Sequence, residues 1–285
     1  MVKITPLDGP LGADVSGVDV SKELTPAEMG AIHKAWGDYL VLRLRGQKLN
    51  NEQLMNFSRL FGALDKRPIH SEQVIDDDKP EMYINVISNV VENGKAIGSL
   101  GAGELSWHTD MSYAPVPPMA SVLYGVEVPA KGGDTGFCNM YLAYENLPAN
   151  LKKKIEDKVC IHDASRTSGG KLRQGFKEVT DPREAPGAAH PLVRTHPITG
   201  RNALFLGRRL GAYIKGMELA DSEVLLDELW EYATADEVCW WQQWKQGDLI
   251  MWDNRCTMHR RAEFQPTERR VMHRTQIAGD RPFTV

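Results

Sequence analysis

The segment 106–110 constrains the fold most, because it places the imidazole of His108 two residues before the carboxylate of Asp110. On a β-strand, residues i and i+2 leave the same face, about 6.6 Å apart at roughly 3.3 Å of rise per residue. Such a pair can occupy adjacent coordination positions on one metal ion. The segment 252–259 offers His259 as a third ligand. We therefore expect a fold in which two strands that are distant in sequence meet.

A His-x-Asp pair by itself is common, and its ordinary interpretation is a surface histidine beside an aspartate. Two histidines and one carboxylate that leave half of the coordination sphere open are typical of non-haem iron oxygenases. Two other classes can use the same ligands: a metal-binding sandwich without turnover, which would be a sensor or storage module, and a zinc hydrolase. A hydrolase would usually need a further acid–base carboxylate, for which Asp134 and Glu104 are the candidates.

Composition excludes several classes of protein. The 285 residues are 42% hydrophobic, enough for a sizeable core. The net charge of −4 argues against nucleic-acid binding, which needs a basic excess. No apolar run is long enough to predict a membrane span or a secretory segment. The four scattered cysteines form no CxxC pair and predict reduced thiols in a cytoplasmic protein rather than disulfides or a zinc site.

Short apolar or alternating segments recur along the chain and predict strands, while helices interrupt them. Thr25-Pro26-Ala27-Glu28 is typical of a capped helix start, and Asn50 can cap a second helix. Strands are predicted at 39–44, 82–91, 120–128, 135–138, 192–196, 203–206, 240–244, 249–252, 257–259 and 271–277, with 82–91 forming the first part of a hairpin over 82–98. Later helices are predicted at 141–159, with a break or a second start at Leu147-Pro148, and at 222–234.

Residues 163–190 show no period and carry several glycines and prolines. An irregular segment of that length is usually a binding loop or a lid, and residues 98–105 are a second candidate lid. No change of composition marks a linker, and no repeat occurs. We therefore expect one α+β, mainly β domain over residues 1–285, built on a β-sandwich or jelly roll.

Four motifs follow one another with compatible spacing: Trp107-His108-Thr109-Asp110, Gly132-Gly133-Asp134-Thr135, Gly247-Asp248 with Trp252-Asp253-Asn254-Arg255 and His259, and Arg269-Arg270-Val271-Met272-His273-Arg274. In this order the chain resembles the taurine/2,4-dichlorophenoxyacetate dioxygenase (TauD/TfdA) family of Fe(II)- and 2-oxoglutarate-dependent oxygenases, from about residue 4 to residue 283. The resemblance implies a double-stranded β-helix, a cupin-like jelly roll, with flanking helices and a metal site in the barrel mouth. It also implies Fe(II), 2-oxoglutarate and O₂.

The resemblance assigns the iron ligands to His108, Asp110 and His259, with no catalytic residue beyond the metal centre. Arg270 takes the family position of the arginine that binds the far carboxylate of 2-oxoglutarate, and Thr135 that of the hydroxyl that binds the same group. A buried carboxylate needs a charged and preferably bidentate partner, which arginine supplies.

Three residues are predicted to contact the substrate. Arg274 matches the arginine that binds the substrate's acidic group in the taurine branch, with a salt bridge at the rim as the alternative. His70 matches another contact to that group. Glu104 and Gln73 replace an amide and an aromatic residue of the taurine pattern, and Glu104 could pair with a substrate amine. These departures leave the substrate open between an alkylsulfonate such as taurine and an aryloxy or alkyl carboxylate.

The predicted reaction hydroxylates a small anionic substrate and yields succinate and CO₂, and the product can collapse to release sulfite or an alcohol or phenol. Alternation along 270–274 places His273 on the face opposite Arg270 and Arg274, which predicts a structural role for it. The other histidines outside the site are predicted to be core or surface residues. Relatives suggest a homo-oligomer, either a dimer or a tetramer.

Overall fold

The computed structural model describes residues 1–66, 79–207 and 211–285. The predicted substrate contact His70, together with Gln73, lies outside the described residues. Five α-helices occur in the described part, with three short 3₁₀ turns at Pro80–Met82, Pro182–Glu184 and Asp236–Val238. The α-helices are α1 Pro26–Tyr39, α2 Asn51–Arg59, α3 Met140–Glu145, α4 Ala149–Ile155 and α5 Leu219–Ala233.

Strands make up most of the remaining regular structure. They are β1 Lys3–Pro6, β2 Ala13–Ser16, β3 Val41–Leu44, β4 Asn85–Ser88, β5 Val91–Glu92, β6 Lys95–Ala96, β7 Ser99–Leu100, β8 Ala120–Glu127, β9 Thr135–Asn139, β10 Val159–Asp163, β11 Gly187–Pro191, β12 Val193–Thr195, β13 Asn202–Leu204, β14 Tyr213–Ile214, β15 Cys239–Gln242, β16 Leu249–Asp253, β17 Thr257–Arg261 and β18 Val271–Ile277.

Two sheets position the site. The large sheet has the order β1-β2-β3-β16-β8-β18-β4-β7, and the small sheet has the order β15-β9-β17. The pairs β16–β8, β8–β18, β15–β9 and β9–β17 are all antiparallel. Strands that are far apart in sequence thus become neighbours, as the recurring short strands predicted.

Side chains alternate between two hydrophobic cores across the large sheet. Along β16, Leu249 and Met251 pack into an outer core with α1 and α2, whereas Ile250 and Trp252 point into an inner core shared with the small sheet and α3–α5. Successive residues of a strand face opposite sides, so a sheet that is covered on both sides needs apolar residues at nearly every position. This explains the continuous apolar run of β16.

Both early helices begin where the caps predict. In α1, Thr25 accepts a hydrogen bond from the amide of Glu28, and the Glu28 side chain accepts one from the amide of Thr25. Asn50 and Gln53 make the same reciprocal pair at α2. Each arrangement satisfies amides that lack a partner within the helix. The N-terminal boundaries of these helices were therefore readable from local sequence.

Some predicted elements need correction. The helix predicted over 141–159 consists of α3 and α4, separated at the predicted break at Leu147-Pro148, but it ends earlier than predicted, because its last residue already belongs to β10. The hairpin predicted in 82–98 consists of the short strands β5 and β6, preceded by β4. The β10 strand was missed because its residues continue an apolar helical pattern, and its pairing with β11 is long-range.

The four cysteines are free thiols, as predicted. Cys138 and Cys239 face each other across β9 and β15, with their sulfur atoms 2.7 Å apart. No described helix is long and apolar enough to cross a lipid bilayer.

Candidate metal and cosubstrate site

His108, Asp110 and His259 converge at one point between the two sheets. His108 and His259 form a two-residue antiparallel bridge, with N–H···O distances of 3.0 and 2.9 Å. One ligand atom from each of the three side chains lies within 4.8 Å of the other two. The Nε2 atoms of His108 and His259 lie 3.8 and 3.9 Å from Oδ1 of Asp110. All three residues are buried.

The segment that carries His108 and Asp110 is not the regular strand that the sequence predicted. The bridge at His108 is isolated, and the chain enters a turn at Asp110, followed by Met111 at a φ of 48°. Asn254 fixes this turn: its Oδ1 accepts from the amide of Asp110, and its Nδ2 donates to the carbonyls of Asp110 and Pro118, each at 2.9 Å. The position of Asp110 is therefore fixed by the distant side chain of Asn254, and not by the geometry of a regular strand.

The tautomer of His108 suits metal binding. Its Nδ1 lies 2.7 Å from the carbonyl oxygen of Ser106. A carbonyl can only accept, so Nδ1 carries the proton and Nε2 presents a lone pair toward Asp110. Metal-binding histidines commonly use the second ring nitrogen in this way.

The carboxylate of Asp110 is held by two further groups. Ser121 donates its hydroxyl to Oδ2 at 2.7 Å, and Nη1 of Arg274 donates to Oδ1 and Oδ2 at 2.9 and 3.0 Å. Burial alone would raise the pKa of Asp110, but the positive charge of Arg274 and the hydrogen bond from Ser121 favour the ionised form, and that pKa lies well below the ordinary value. Asp110 is therefore ionised and oriented.

Two cavities flank this triad. Residues Leu100, His108 and Arg274 line both of them. The first also contains His259, Thr135 and Arg270. The second also contains Asp110 and the polar or charged residues Asn85, Ser99, Tyr113, Thr167, Ser168 and Arg173. The triad thus lies between a mainly apolar cavity that is also lined by buried arginines and a more polar cavity.

Arg270 and Thr135 both line the first cavity. The Arg270 side chain is buried, and no carboxylate of a described residue lies within ion-pair distance of it. Burial lowers the pKa of Arg270, the nearby Arg261 lowers it further, and Asp134 partly offsets this. Trp244 donates its indole N–H to the Thr135 hydroxyl at 2.9 Å, which leaves the hydroxyl proton available to an acceptor in the cavity. A ligand carboxylate would complement both groups.

Arg274 and Glu104 differ from their predicted settings. Arg274 is buried on β18 and donates to Asp110, so it is not a salt bridge at the rim. Glu104 lies outside both cavities, with its side chain 54% exposed and 3.2 Å from Arg260. The guanidinium of Arg260 in turn lies over the rings of Trp107 and Trp241. Glu104 therefore does not join the other predicted site residues, because its carboxylate is directed to the guanidinium of Arg260.

A second cluster of potential ligands, His196, Asp253 and Cys256, has its donor atoms engaged. Nδ1 of His196 accepts from two backbone amides, so its Nε2 carries the proton and donates to Asp253 at 3.2 Å. Arg255 also donates to both oxygens of Asp253, at 2.9 and 2.6 Å. With no free imidazole lone pair and a neutralised carboxylate, this cluster is a structural ion pair.

The remaining histidines agree with the expected core or surface roles. His162 and His190 are buried against Phe205. His33 is exposed beside Phe61. His273 lies on the face opposite the site, as predicted, with its Nδ1 2.6 Å from Oδ1 of Asn51 in α2.

Sequence reasoning missed the residues that support the triad. Asn254 lies within a recognised motif, so its position carried a signal, but no local pattern indicated its bond to a residue 144 positions away. Ser121 and Arg173 lie outside the motifs and carried no such signal.

Comparison with known proteins agrees with this geometry. The model of the taurine catabolism dioxygenase TauD, TfdA family matches residues 3–276. The chain belongs to this family. It is 33% identical over 282 residues to an (S)-phenoxypropionate/α-ketoglutarate dioxygenase of Sphingobium herbicidovorans, covering 97% of this chain and 95% of the relative. An alkylsulfatase of Acinetobacter baylyi is 31% identical over 291 residues, covering 98% of this chain and 86% of the relative.

Solved structures of the TauD/TfdA family have the same fold. AAD-2 in complex with Mn(II) and N-oxalylglycine superposes with a TM-score of 0.80 at 33% identity, with complete coverage of both chains. A taurine dioxygenase from Burkholderia xenovorans gives 0.78 at 32% identity, covering 99% of this chain and 91% of that one. The predicted jelly-roll core with flanking helices is confirmed.

Membership also confirms the predicted chemistry. The protein is a 2-oxoglutarate-dependent dioxygenase, and its family uses Fe(II), 2-oxoglutarate and O₂. The two alternatives, a metal-binding sensor and a zinc hydrolase, are thereby wrong.

Proposed function

We propose that this dioxygenase hydroxylates a small anionic organic substrate at a metal centre held by His108, Asp110 and His259. The observation that carries the assignment is the buried convergence of two imidazole nitrogens and one carboxylate beside the buried guanidinium of Arg270. The donor set suits Fe(II), which accepts two histidines and a carboxylate and leaves positions open.

The residues around the metal site prepare it for the ion. His108 presents Nε2 because Ser106 fixes its tautomer, and Ser121 and Arg274 orient the carboxylate of Asp110. When bound, Fe(II) would supply the activation of O₂ and the coupled decarboxylation of 2-oxoglutarate to succinate and CO₂. The protein contributes the positions of the metal ligands and a cavity with a mainly apolar lining.

The first cavity is proposed to hold 2-oxoglutarate. Arg270 and Thr135 would bind the carboxylate far from the metal, because a buried guanidinium without a carboxylate partner among the described residues needs an anion. The aromatic rings of Trp244 and Phe264 lie 6.0 Å from the Arg270 guanidinium and keep it out of solvent. These contacts favour a dicarboxylate over a monocarboxylate.

The second cavity is proposed to receive the substrate. Family relatives carry names that refer to phenoxypropionate, 2,4-dichlorophenoxyacetate and sulfate esters, which supports a small organic anion. Arg274 lines this cavity and also donates a hydrogen bond that orients Asp110. A substrate that loses a leaving group after hydroxylation would release sulfite, sulfate or a phenol.

The test is succinate release with Fe(II), ascorbate and 2-oxoglutarate across taurine, alkyl sulfates, 2-phenoxypropionate and 2,4-dichlorophenoxyacetate. His259→Ala should abolish release while the protein stays folded. Arg270→Met should raise the KM for 2-oxoglutarate by about a hundredfold, since a charge-assisted bidentate contact is lost, while Mn(II) affinity stays within about twofold. An unchanged KM for 2-oxoglutarate would contradict the role of Arg270.

We also propose a single domain over residues 1–285, a homo-oligomer (dimer or tetramer) and a cytoplasmic location. The family match over residues 3–276 supports the first, analogy with relatives the second, and the four free thiols the third. Light scattering of the purified protein tests the oligomeric state, and a monomer would contradict it.

A further inference from the structure

The second cavity contains an arginine, Arg173, that none of the sequence motifs indicated. Arg173 follows a small hairpin in the segment predicted to be irregular, where Arg166 and Leu172 form an antiparallel bridge and the amide of Thr167 donates to the carbonyl of Lys171. The amide of Ser106 donates to the carbonyl of Ser168 at 2.8 Å. The hairpin is therefore attached to the segment that precedes the metal ligands.

The Arg173 guanidinium is held against Tyr113. Nη1 donates to the Tyr113 hydroxyl at 2.7 Å, and the guanidinium carbon lies 4.2 Å from the centre of the tyrosine ring. Nε donates to the carbonyl of Arg166 at 3.2 Å. Tyr113 is itself anchored, because its carbonyl accepts from the amide of Ala188 at 3.1 Å. The cation thus has a defined position at the wall of the cavity.

The charge of Arg173 is not balanced by any described residue. No described carboxylate lies within ion-pair distance of it, whereas the other arginine of this cavity, Arg274, donates to both oxygens of Asp110. A guanidinium has five N–H donors, and Tyr113 and the Arg166 carbonyl take only two of them. A half-buried cation with donors to spare in a ligand cavity favours an anionic ligand.

We infer that Arg173, supported by Tyr113, is a specificity residue that binds the anionic group of the substrate. The inference depends on the proposed function, since it assigns the second cavity to the substrate. Arg274 also lines this cavity but donates to Asp110 at the metal end, and Arg173 adds a second positive charge that is not paired with a described carboxylate. The surrounding Asn85, Ser99, Thr167 and Ser168 are hydrogen-bonding groups, which favours a compact polar head such as sulfonate, sulfate or carboxylate.

A purely structural alternative is that Arg173 only fastens the hairpin to Tyr113. The two roles differ in one measurable respect. If Arg173 only positions the hairpin, its loss should weaken the binding of charged and neutral ligands alike. If Arg173 contacts the anionic group, its loss should weaken only the binding of the anion. The experiment therefore compares 2-phenoxypropionate with its neutral methyl ester, and hexyl sulfate with hexanol.

Binding is measured by calorimetry on protein loaded with Mn(II) and N-oxalylglycine, which does not turn over. We expect wild-type protein to prefer one of the two anions over its neutral counterpart by about tenfold or more, as for a hydrogen-bonded charge pair. Arg173→Met should reduce that preference to below about threefold, and Arg173→Lys should restore part of it. Arg183→Met is the matched control, because Arg183 is an exposed arginine of the same segment that pairs with Asp181. It should bind like wild type.

Two further readouts complete the design. Tyr113→Phe, which removes only the hydroxyl that accepts from Arg173, should lower the anion preference by a smaller factor and covers the case in which Arg173→Met fails to fold. In turnover, the KM for the active anion should rise in Arg173→Met.

The outcomes separate the two proposals. An unchanged anion preference in Arg173→Met, an equal loss for anion and neutral probe, or a wild-type protein without any anion preference would overturn the inference. Absence of succinate release from wild type with every probe, even without substrate, would instead overturn the proposed function. The calorimetric comparison would still decide the role of Arg173 in that case.

Discussion

Two buried aspartates, Asp110 and Asp253, have different roles because different residues surround their carboxylates. Asp110 accepts from Ser121 and Arg274 and faces two imidazole nitrogens, so it can share its charge with a metal. The carboxylate of Asp253 instead accepts hydrogen bonds from Nε and Nη2 of Arg255 and from Nε2 of His196, so its oxygens are already engaged. Burial opposes ionisation of Asp253, but Arg255 and His196 outweigh it and hold its pKa well below the ordinary value.

At Asp253, the replacement Asp253→Asn should lower the free energy of unfolding at pH 7 by about 3 kcal/mol or more, because it leaves Arg255 buried without its partner. The folded state depresses the pKa of Asp253, so its contribution is full above the unfolded pKa near 4 and is lost as the pH falls through the lower folded value. Urea unfolding from pH 7 to pH 3 should show a constant difference from wild type down to about pH 5, and a shrinking one below about pH 4.

Asp181→Asn is the control for that experiment, because Asp181 forms a surface pair with Arg183. It should cause no resolvable change. A wild-type to Asp253→Asn difference that is as large at pH 3 as at pH 7 would contradict the assignment.

Asn254 is expected to matter for the metal although it would not touch it. Asn254→Ala removes the three hydrogen bonds that fix the Asp110 turn and the Pro118 carbonyl. Mn(II) affinity should fall by about 10–100-fold, as for other residues that orient metal ligands. Asn254→Asp keeps the acceptor but loses both donors, so it should bind Mn(II) weakly as well. A wild-type affinity for Mn(II) in both variants would show that the turn at Asp110 keeps its conformation without Asn254.

At the scale of elements, the turn before β9 sets the position of Thr135. Gly132 has a φ of +75°, and a Cβ added there would lie 2.7 Å from the carbonyl oxygen of Glu263. Gly132 also pairs with Phe264, and the amide of Gly133 donates to the same Glu263 carbonyl at 3.0 Å. The Gly-Gly motif therefore allows two backbone segments to approach closely beside the first cavity.

Gly132→Ala should be more destabilising than Gly94→Ala. Both glycines have φ near +75°, but a Cβ on Gly94 would meet nothing within 4 Å. Gly94→Ala should cost about 1 kcal/mol for the left-handed conformation alone, and Gly132→Ala clearly more, because the backbone must also move. Chemical denaturation measures both, and the KM for 2-oxoglutarate should rise only in Gly132→Ala. Equal losses of stability would contradict this account of the motif.

At the scale of the whole molecule, the large sheet separates a supporting core from the site. The outer core joins it to α1 and α2, and the inner core joins it to the small sheet and the cavities. Met251 points to the outer side, whereas Leu123 on the neighbouring strand lines the first cavity, which we propose to hold 2-oxoglutarate. Stability and ligand binding should therefore respond differently to mutations on the two faces.

Met251→Ala and Leu123→Ala should each lower the free energy of unfolding by about 2–5 kcal/mol, the usual cost of truncating a buried side chain. Only Leu123→Ala should raise the KM for 2-oxoglutarate, by several-fold, because it enlarges the cavity. Urea unfolding and initial rates of succinate formation separate the two effects. A raised KM in Met251→Ala would show that the outer core is coupled to the site.

The sequence by itself determined the parts that depend on local chemistry or on ordered motifs. The caps of Thr25 and Asn50 fixed two helix starts, because reciprocal side-chain bonds act within one turn. Alternation along 270–274 placed His273 opposite the site, because successive strand residues face opposite sides. The four motifs identified the family, and with it the jelly roll and the use of iron and 2-oxoglutarate.

Only the tertiary structure decided how the side chains around the metal site are oriented. Asp110 lies in a turn that Asn254 holds from 144 residues away, Arg274 donates to Asp110, and Glu104 turns outward to Arg260. Arg173 reaches the second cavity through a hairpin in a segment without any period. Such contacts join residues whose separation leaves no periodic trace in the sequence, because a side chain's partner depends on which strands the whole chain brings together.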